Sequence, residues 1–358
     1  VVAMSKALAL ALVLVFLTAS STILTNPVSG GTADENTWVS KGQIPQSENG
    51  VRATSVDGKI YVLGESINLE FDPATNNWTT KKPMTTPRIG FGIVSYQNKI
   101  FTIGGSSQGI AFGSNEVYDP STDTWETKKP MSTNRSYVGA AVVDGKIHLI
   151  STGSHDVYDI ALDSWSTKKA VSFPLDYGYD SATAVVNDKI YVIVWNQTQI
   201  YDPKSDRWSL GAPSPTPVIY AAVCSTTGEM ASKRIYVIGG TKGEGGMFAE
   251  ATALTQVYDP TNDTWVLGEP MPTARLELTV AVANDQIYAI TGQRTLVFSG
   301  PLTANEQYTP FGYGTPDANE PTPTPSIPEF PSWTIPLLLT IMLASGSLLV
   351  YHKKHKRA

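Results

Sequence analysis

Six copies of one short pattern run from Lys59 to Pro310, and any fold for this chain has to accommodate all of them. Apolar runs of the Lys-Ile-Tyr type begin at Lys59, Lys99, Lys146, Lys189, Arg234 and Gln286. Each is followed by Tyr-Asp-Pro or a close variant: Phe71-Asp72-Pro73, Tyr118-Asp119-Pro120, Tyr158-Asp159-Ile160, Tyr201-Asp202-Pro203, Tyr258-Asp259-Pro260 and Tyr308-Thr309-Pro310. A Trp closes five of the units, at Trp78, Trp125, Trp165, Trp208 and Trp265. Short apolar runs bounded by Gly, Pro, Asn and Asp read as strands joined by tight turns. Ile190-Tyr191-Val192-Ile193 is apolar at consecutive positions, as in a strand covered on both faces. A unit of this size cannot cover itself, so the copies must pack on one another.

A spacing of about 40 to 50 residues with four short strands per copy is the pattern of blades packed around an axis. The sixth Trp bears on closure. Trp38 precedes the first apolar run and the last unit has no Trp of its own, so the N-terminal strand is expected to complete the last blade. These motifs resemble kelch repeats over residues 36–310, with the Gly pair intact at Gly104-Gly105 and Gly239-Gly240. Elsewhere the pair is replaced by Gly64-Glu65, Ser151-Thr152, Val194-Trp195 and Thr291-Gly292, so blades 3 and 4 depart most from the family pattern. The resemblance implies an all-β, six-bladed kelch-type β-propeller closed by an N-terminal strand. Tyr and Trp of each unit should pack between neighbouring blades.

The two ends read differently. Residues 1–30 have the form of a signal peptide, with Lys6, an apolar run Ala7–Leu17 too short to span a bilayer comfortably, and small residues Thr18-Ala19-Ser20-Ser21. Residues 311–332 form a Pro/Thr-rich stalk, extended and semi-rigid. Residues 333–351, Trp333 to Tyr351, are apolar and uncharged, long enough for one C-terminal transmembrane helix, and residues 352–358 carry Lys353, Lys354, Lys356 and Arg357. Basic residues after the span place the tail in the cytoplasm and the propeller outside, at the cell surface. Pro328-Glu329-Phe330 before the span resembles an archaeal sorting tail of Pro-Glu-Phe type, which implies an anchor that a sortase-like enzyme removes.

The net charge of −6 conceals an acidic ectodomain: every acidic residue lies between Asp34 and Glu329, where 21 of the 26 cations face all 32 acids. Such a balance argues against nucleic acid as a partner. Cys224, the single cysteine, makes no intrachain disulfide and sits in the apolar run Ala221-Ala222-Val223-Cys224 as a small hydrophobe. Glycosylation acceptor triplets start at Asn77, Asn134, Asn196 and Asn262, all near expected turns.

No metal site and no cofactor are expected, since His148 and His155 are the only ectodomain histidines and belong to one blade. Lysine pairs at Lys81-Lys82, Lys128-Lys129 and Lys168-Lys169 follow the Trp and read as guards on exposed strand edges. The turns into the innermost strands carry an Arg five residues after a Pro, at Pro83/Arg88, Pro130/Arg135 and Pro270/Arg275, with Arg52 close to the corresponding slot in blade 1. With blades in chain order these four form an arc. The kelch resemblance implies that Arg52, Arg88, Arg135 and Arg275 line the axial pocket; the alternative is that each braces strands by pairing with a carboxylate or carbonyl. The insert Thr241 to Gln256, with Glu244, Met247, Phe248 and Glu250, belongs to the same face. The leading reading is a cell-surface binding module for an extracellular glycan or protein, without a complete catalytic set. The alternative is a sugar-active enzyme, mutarotase- or lyase-like, in which Glu277 or Asp176 beside Arg275 supplies acid/base chemistry; a purely structural envelope component is a third.

Overall fold

The computed structural model describes residues 34–151, 153–171, 182–242, 249–296 and 299–315. These form six four-stranded antiparallel sheets and no helix. From the axis outward, blade 1 is Arg52–Val56, Lys59–Leu63, Asn68–Asp72 and Asn77–Thr80, with the strands in sequence order. Blades 2 to 5 repeat that order, with innermost strands Gly92–Tyr96, Gly139–Val143, Ala182–Val186 and Ala222–Ser225. In blade 6, Thr279–Ala283, Gln286–Ile290 and Asn305–Thr309 are joined by Thr37–Ser40, which pairs Trp38 with Tyr308 and Thr37 with Thr309. Each innermost strand contacts those of the blades before and after it, so the ring follows chain order and blade 6 meets blade 1.

The second strand of every blade is buried along almost its whole length, and in five blades its ring residue meets the ring of the Tyr-Asp-Pro motif one blade on. Tyr61 meets Tyr118 with centroids 6.2 Å apart, Tyr191 meets Tyr258 at 6.0 Å, Tyr236 meets Tyr308 at 5.8 Å and Tyr288 meets Phe71 at 5.8 Å. In blade 3 that place belongs to His148, 5.7 Å from Tyr201. These contacts join the separate sheets into one core, consistent with edge-to-face preferences of aromatic pairs.

The Trp is half-buried. Its ring tilts on the Tyr or Phe opposite it in register, with centroids 4.9 to 5.0 Å apart in all six blades. Its indole N–H donates to a carbonyl of the preceding blade: Trp125 to Lys82, Trp165 to Lys129, Trp208 to Lys169, Trp265 to Ala212, Trp38 to Glu269 and Trp78 to Gly42. Two residues upstream of each Trp stands an Asp or Asn with φ between 45° and 58°, a left-handed conformation that these side chains tolerate. The lysine pairs thus contribute backbone to the seams: Lys82, Lys129 and Lys169 accept from the Trp of the following blade. Their edge role, read from the sequence, concerns the side chains alone.

The alternating strands give the ring two unlike faces. The lower face carries the tight hairpins 57–58, 97–98, 144–145, 187–188 and 284–285 together with the Tyr-Asp-Pro turns. Asp34 and Thr315, the first and last described residues, both lie there, where the Gly314 N–H donates to the Met230 carbonyl at 2.7 Å. The upper face carries the connections between blades and the longer, irregular inserts, including the hairpin Ser106–Ser107 with Ile110–Ala111 and the segment from Thr241 to Ala251, whose Ala251 N–H reaches the Arg294 carbonyl of blade 6. Glu244, Met247 and Phe248 of that insert lie outside the described residues, as do residues 1–33 and 316–358 with the expected signal peptide, span and most of the stalk; the first residues of the expected stalk, 311–315, are a turn packed on the ring through Phe311.

Candidate functional site

Equivalent positions in six blades follow from strand register. Arg52 pairs Leu63 as Gly92 pairs Ile103, Gly139 pairs Ile150, Ala182 pairs Ile193, Ala222 pairs Ile238 and Thr279 pairs Ile290. One layer further along, Ala53, Ile93, Ala140, Thr183, Val223 and Val280 face one another around the axis; two layers below lie Ser55, Ser95, Val142, Val185, Ser225 and Val282. These enclose an axial cavity of about 380 Å³. Thr183 Oγ1 and Ser225 Oγ donate to the carbonyls of Ala140 and Val185 on neighbouring blades, at 2.8 and 2.9 Å. Among the described lining residues Arg52 is the one charged side chain, and it stands at the upper mouth, where the equivalent positions are Gly, Ala or Thr.

That register corrects the arginine arc. Two residues before the innermost strand, each of the five blades whose entry turn is described passes through a left-handed residue: Gly50, Gly90, Tyr137, Tyr220 and Glu277, with φ from 52° to 69°. Counting back from them, the slot of Arg88, Arg135 and Arg275 is filled in blade 1 by Glu48, with Arg52 four residues beyond it. Arg88 and Arg275 have no exposed surface. Arg88 forms an ion pair with Glu116 and donates to the Thr102 carbonyl and hydroxyl at 3.0 and 2.9 Å. Arg275 pairs with Glu306 at 2.6 Å and donates to the carbonyls of Thr291 and Ala289 at 3.0 and 3.2 Å. Each carboxylate lies on the third strand of the same blade, so both arginines brace their own blade instead of facing the axis. Burial pushes both guanidinium groups below their ordinary range, and the adjoining Glu opposes that shift. Arg135 is intermediate: its Nε meets Asp156 at 2.9 Å with about a quarter of the side chain exposed.

Arg52 therefore stands at the cavity mouth, with the left-handed Tyr137, Tyr220 and Glu277 in the connections around it on the upper face, while Glu48 accepts from Ser66 and Arg135 joins the third strand of its own blade through Asp156. Non-glycine residues in that conformation cost about 1 to 3 kcal/mol each and cluster at ligand sites. The strain is also structural here: the Tyr137 N–H donates to the Gly90 carbonyl at 2.6 Å and the Glu277 N–H to the Tyr220 carbonyl at 2.9 Å, tying neighbouring blades at the rim. The Glu277 carboxylate accepts from Gln293 Nε2. Asp176 lies outside the described residues. Tyr137 and Tyr220 escaped the sequence reading because a left-handed Tyr leaves no mark in composition. Their spacing from the following apolar strand, equal to that of Gly50 and Gly90, was the available signal.

Cys224 lines the axial cavity and is half-buried, and its enclosure pushes the thiol above its usual range. His148 Nδ1 and His155 Nε2 are 2.8 Å apart, both buried, with the His155 ring against Tyr201 and Trp208. Among the described residues no group of three or more His, Cys, Asp or Glu is arranged to hold a metal ion. A polar recess between blades 1 and 2, missed in the sequence, brings Lys59 and Lys81 onto the Glu70 carboxylate at 2.7 and 3.0 Å, with the Tyr61 hydroxyl at 2.8 Å. Of the acceptor asparagines, Asn77, Asn134 and Asn262 are exposed and Asn196 is half-buried.

A search of curated proteins finds no match to this sequence. The solved structure of YjhT superposes with a TM-score of 0.61 at 13% identity, covering 74% of this chain and 95% of that one, a likeness of fold. The family model described as Kelch motif matches residues 87–132 and 232–272, which are the Arg88-to-Trp125 stretch of blade 2 and its counterpart in blade 5. This chain carries kelch motifs on a six-bladed, all-β propeller.

Proposed function

We propose that the propeller is the recognition module of a surface-anchored protein and binds an envelope glycan or another extracellular protein over the upper mouth of the ring. The observation that carries this reading is the division between the faces. The lower face holds two-residue hairpins in five blades, a longer connection between Ser225 and Ile235 in blade 5 and both described chain ends, whereas the upper holds Arg52 at the cavity mouth, the left-handed Tyr137, Tyr220 and Glu277, and the irregular inserts of blades 2, 5 and 6. Loops on a rigid scaffold are where recognition resides. A stalk leaving Thr315 and a membrane span at Trp333 to Tyr351 would point the upper mouth away from the membrane. The described residues contain no helix long and apolar enough to cross a bilayer, and the candidate span lies outside them. Tyrosine faces beside an arginine suit a sugar ring bearing a carboxylate or a polar peptide.

A second reading, a sugar-active enzyme, is favoured by one feature: the Glu277 carboxylate stands at the mouth, hydrogen-bonded to Gln293. A glycan array on the full chain, followed by an NMR anomerisation assay on each hit, separates the two. Binding that is lost in Arg52→Ala and Tyr137→Ala without turnover supports the recognition module. Turnover abolished by Glu277→Gln supports the enzyme, and binding unaffected by all three substitutions removes the mouth from the account.

A further inference from the structure

The six outer edges are chemically unequal: those of blades 1, 2, 3 and 6 end at or run directly into a lysine, at Lys81, Lys128, Lys168 and Lys41, and those of blades 4 and 5 do not. In blades 1 to 3 the outermost strands read Asn77–Thr80, Thr124–Lys128 and Ser164–Thr167, polar apart from the Trp and ending at or beside a Lys-Lys pair. In blades 4 and 5 they read Arg207–Gly211 and Thr264–Gly268; both end in Gly where the others have Lys. Leu210, Val266 and Leu267 on these strands are 68%, 53% and 57% exposed. An exposed strand edge presents unpaired backbone donors and acceptors, and charged side chains, Lys above all, are what keeps such edges apart. The edge of blade 5 has neither lysine nor any other charge along its length.

We propose that Thr264–Gly268 is a self-association edge, pairing antiparallel with the same strand of a second copy of this chain. The occupant follows from the pattern of the strand itself. Antiparallel pairing about its centre sets Val266 opposite Val266, Trp265 opposite Leu267 and Thr264 opposite Gly268, so apolar meets apolar with no like charges in register. The same operation on blade 2 sets Glu126 against Glu126, which is repulsive, and leaves Lys128 facing Thr124. An isologous contact of this kind closes as a two-fold dimer and does not propagate. It uses the side wall of the ring, leaving the upper mouth open in both copies, so it stands or falls independently of the ligand.

The test uses the full chain made in a host that does not glycosylate, because Asn262 lies two residues before the strand. Sedimentation velocity over a wide concentration range is expected to show a monomer–dimer equilibrium that is lost in Val266→Lys, with the circular dichroism of the parent retained. In a Cys224→Ala background, Val266→Cys is expected to give a disulfide-linked dimer under mild oxidation, since the two copies of that residue face each other, whereas Glu126→Cys at the corresponding place in blade 2 stays monomeric. A chain that is monomeric at every concentration overturns the proposal. So does a dimer that survives Val266→Lys, or equal cross-linking through Val266→Cys and Glu126→Cys.

Discussion

The Tyr118 hydroxyl donates to Asp123 Oδ1 at 2.7 Å, and that same oxygen accepts the backbone N–H of Lys82 from the preceding blade at 2.9 Å. The arrangement recurs with Tyr158 and Asp163 on Lys129, Tyr201 and Asp206 on Lys169, and Tyr258 and Asp263 on Ala212. Asn36 does the same for Tyr308 and Glu269, and Asn76 receives Gly42 opposite Phe71, which has no hydroxyl. Each seam is thus fastened by one side-chain oxygen shared between two blades, beside the Trp that donates across the same seam.

Those four aspartates are sensitive to acid. The Lys82 amide holds the Asp123 carboxyl below the usual carboxylate range and the Ala212 amide does so for Asp263, while the tyrosine hydroxyl is the larger cause for Asp163 and Asp206. With the folded pKa depressed, this stabilisation is complete above the ordinary carboxylate value and is lost as pH falls through the lowered one. Asp123→Asn, Asp163→Asn, Asp206→Asn and Asp263→Asn copy the residue that blades 1 and 6 already use. Each is expected to cost under about 1 kcal/mol at neutral pH. The quadruple variant should lose less stability than the parent on acidification, measured by urea unfolding across pH; an unchanged acid limb would refute the shared-oxygen account.

His148 gives the ring a second acid sensitivity. Burial lowers its pKa from 6.5 to about 3, with the neighbouring His155 adding to the shift. The unfolded chain then binds the extra proton, so the stabilisation is fully present above pH 6.5 and declines between 6.5 and about 3. Blade 2 places Phe101 and Asn115 where blade 3 has this pair. The double variant His148→Phe with His155→Asn is expected to flatten the melting temperature between those pH values. A slope equal to the parent's would show that the pair is not its source.

Arg88 and Arg52 should separate bracing from recognition. Arg88→Met leaves the Glu116 carboxylate buried without its cation, and is expected to cost about 3 to 5 kcal/mol, partly recovered by adding Glu116→Leu. Arg52→Ala lies at the half-exposed mouth and is expected to change stability by under about 1 kcal/mol while weakening ligand binding. Equal destabilisation by both in chemical denaturation would contradict this division.

Trp125→Ala removes a half-buried ring, its stack on Tyr118 and its bond to the Lys82 carbonyl. A fully buried Trp costs about 3 to 5 kcal/mol on truncation, so about 2 kcal/mol is expected for this partly exposed one. Thermal unfolding checks it, and Trp125→Phe, which keeps the stack and loses the hydrogen bond, should cost roughly half as much.

The repeats, the strand order within each blade and the all-β six-bladed class were written in the sequence, because they depend on local signals. An apolar run covered on both faces, a turn at Tyr-Asp-Pro and a Trp at constant spacing each report on a few neighbouring residues. The site was not written there in the same way. Proximity along the chain placed Arg52 close to the slot of Arg88, Arg135 and Arg275, but Gly50 stands as far from Trp38 as Gly90 does from Trp78, so strand register gives the slot to Glu48 and moves Arg52 to the mouth. Arg88 and Arg275 owe their burial to Glu116 and Glu306, which lie 28 and 31 residues further on and come beneath them only when the third strand folds back. Spacing along a chain fixes which strand a residue joins. What faces it across the blade is decided by register and by the lengths of the intervening loops, and those are settled only when the ring has closed.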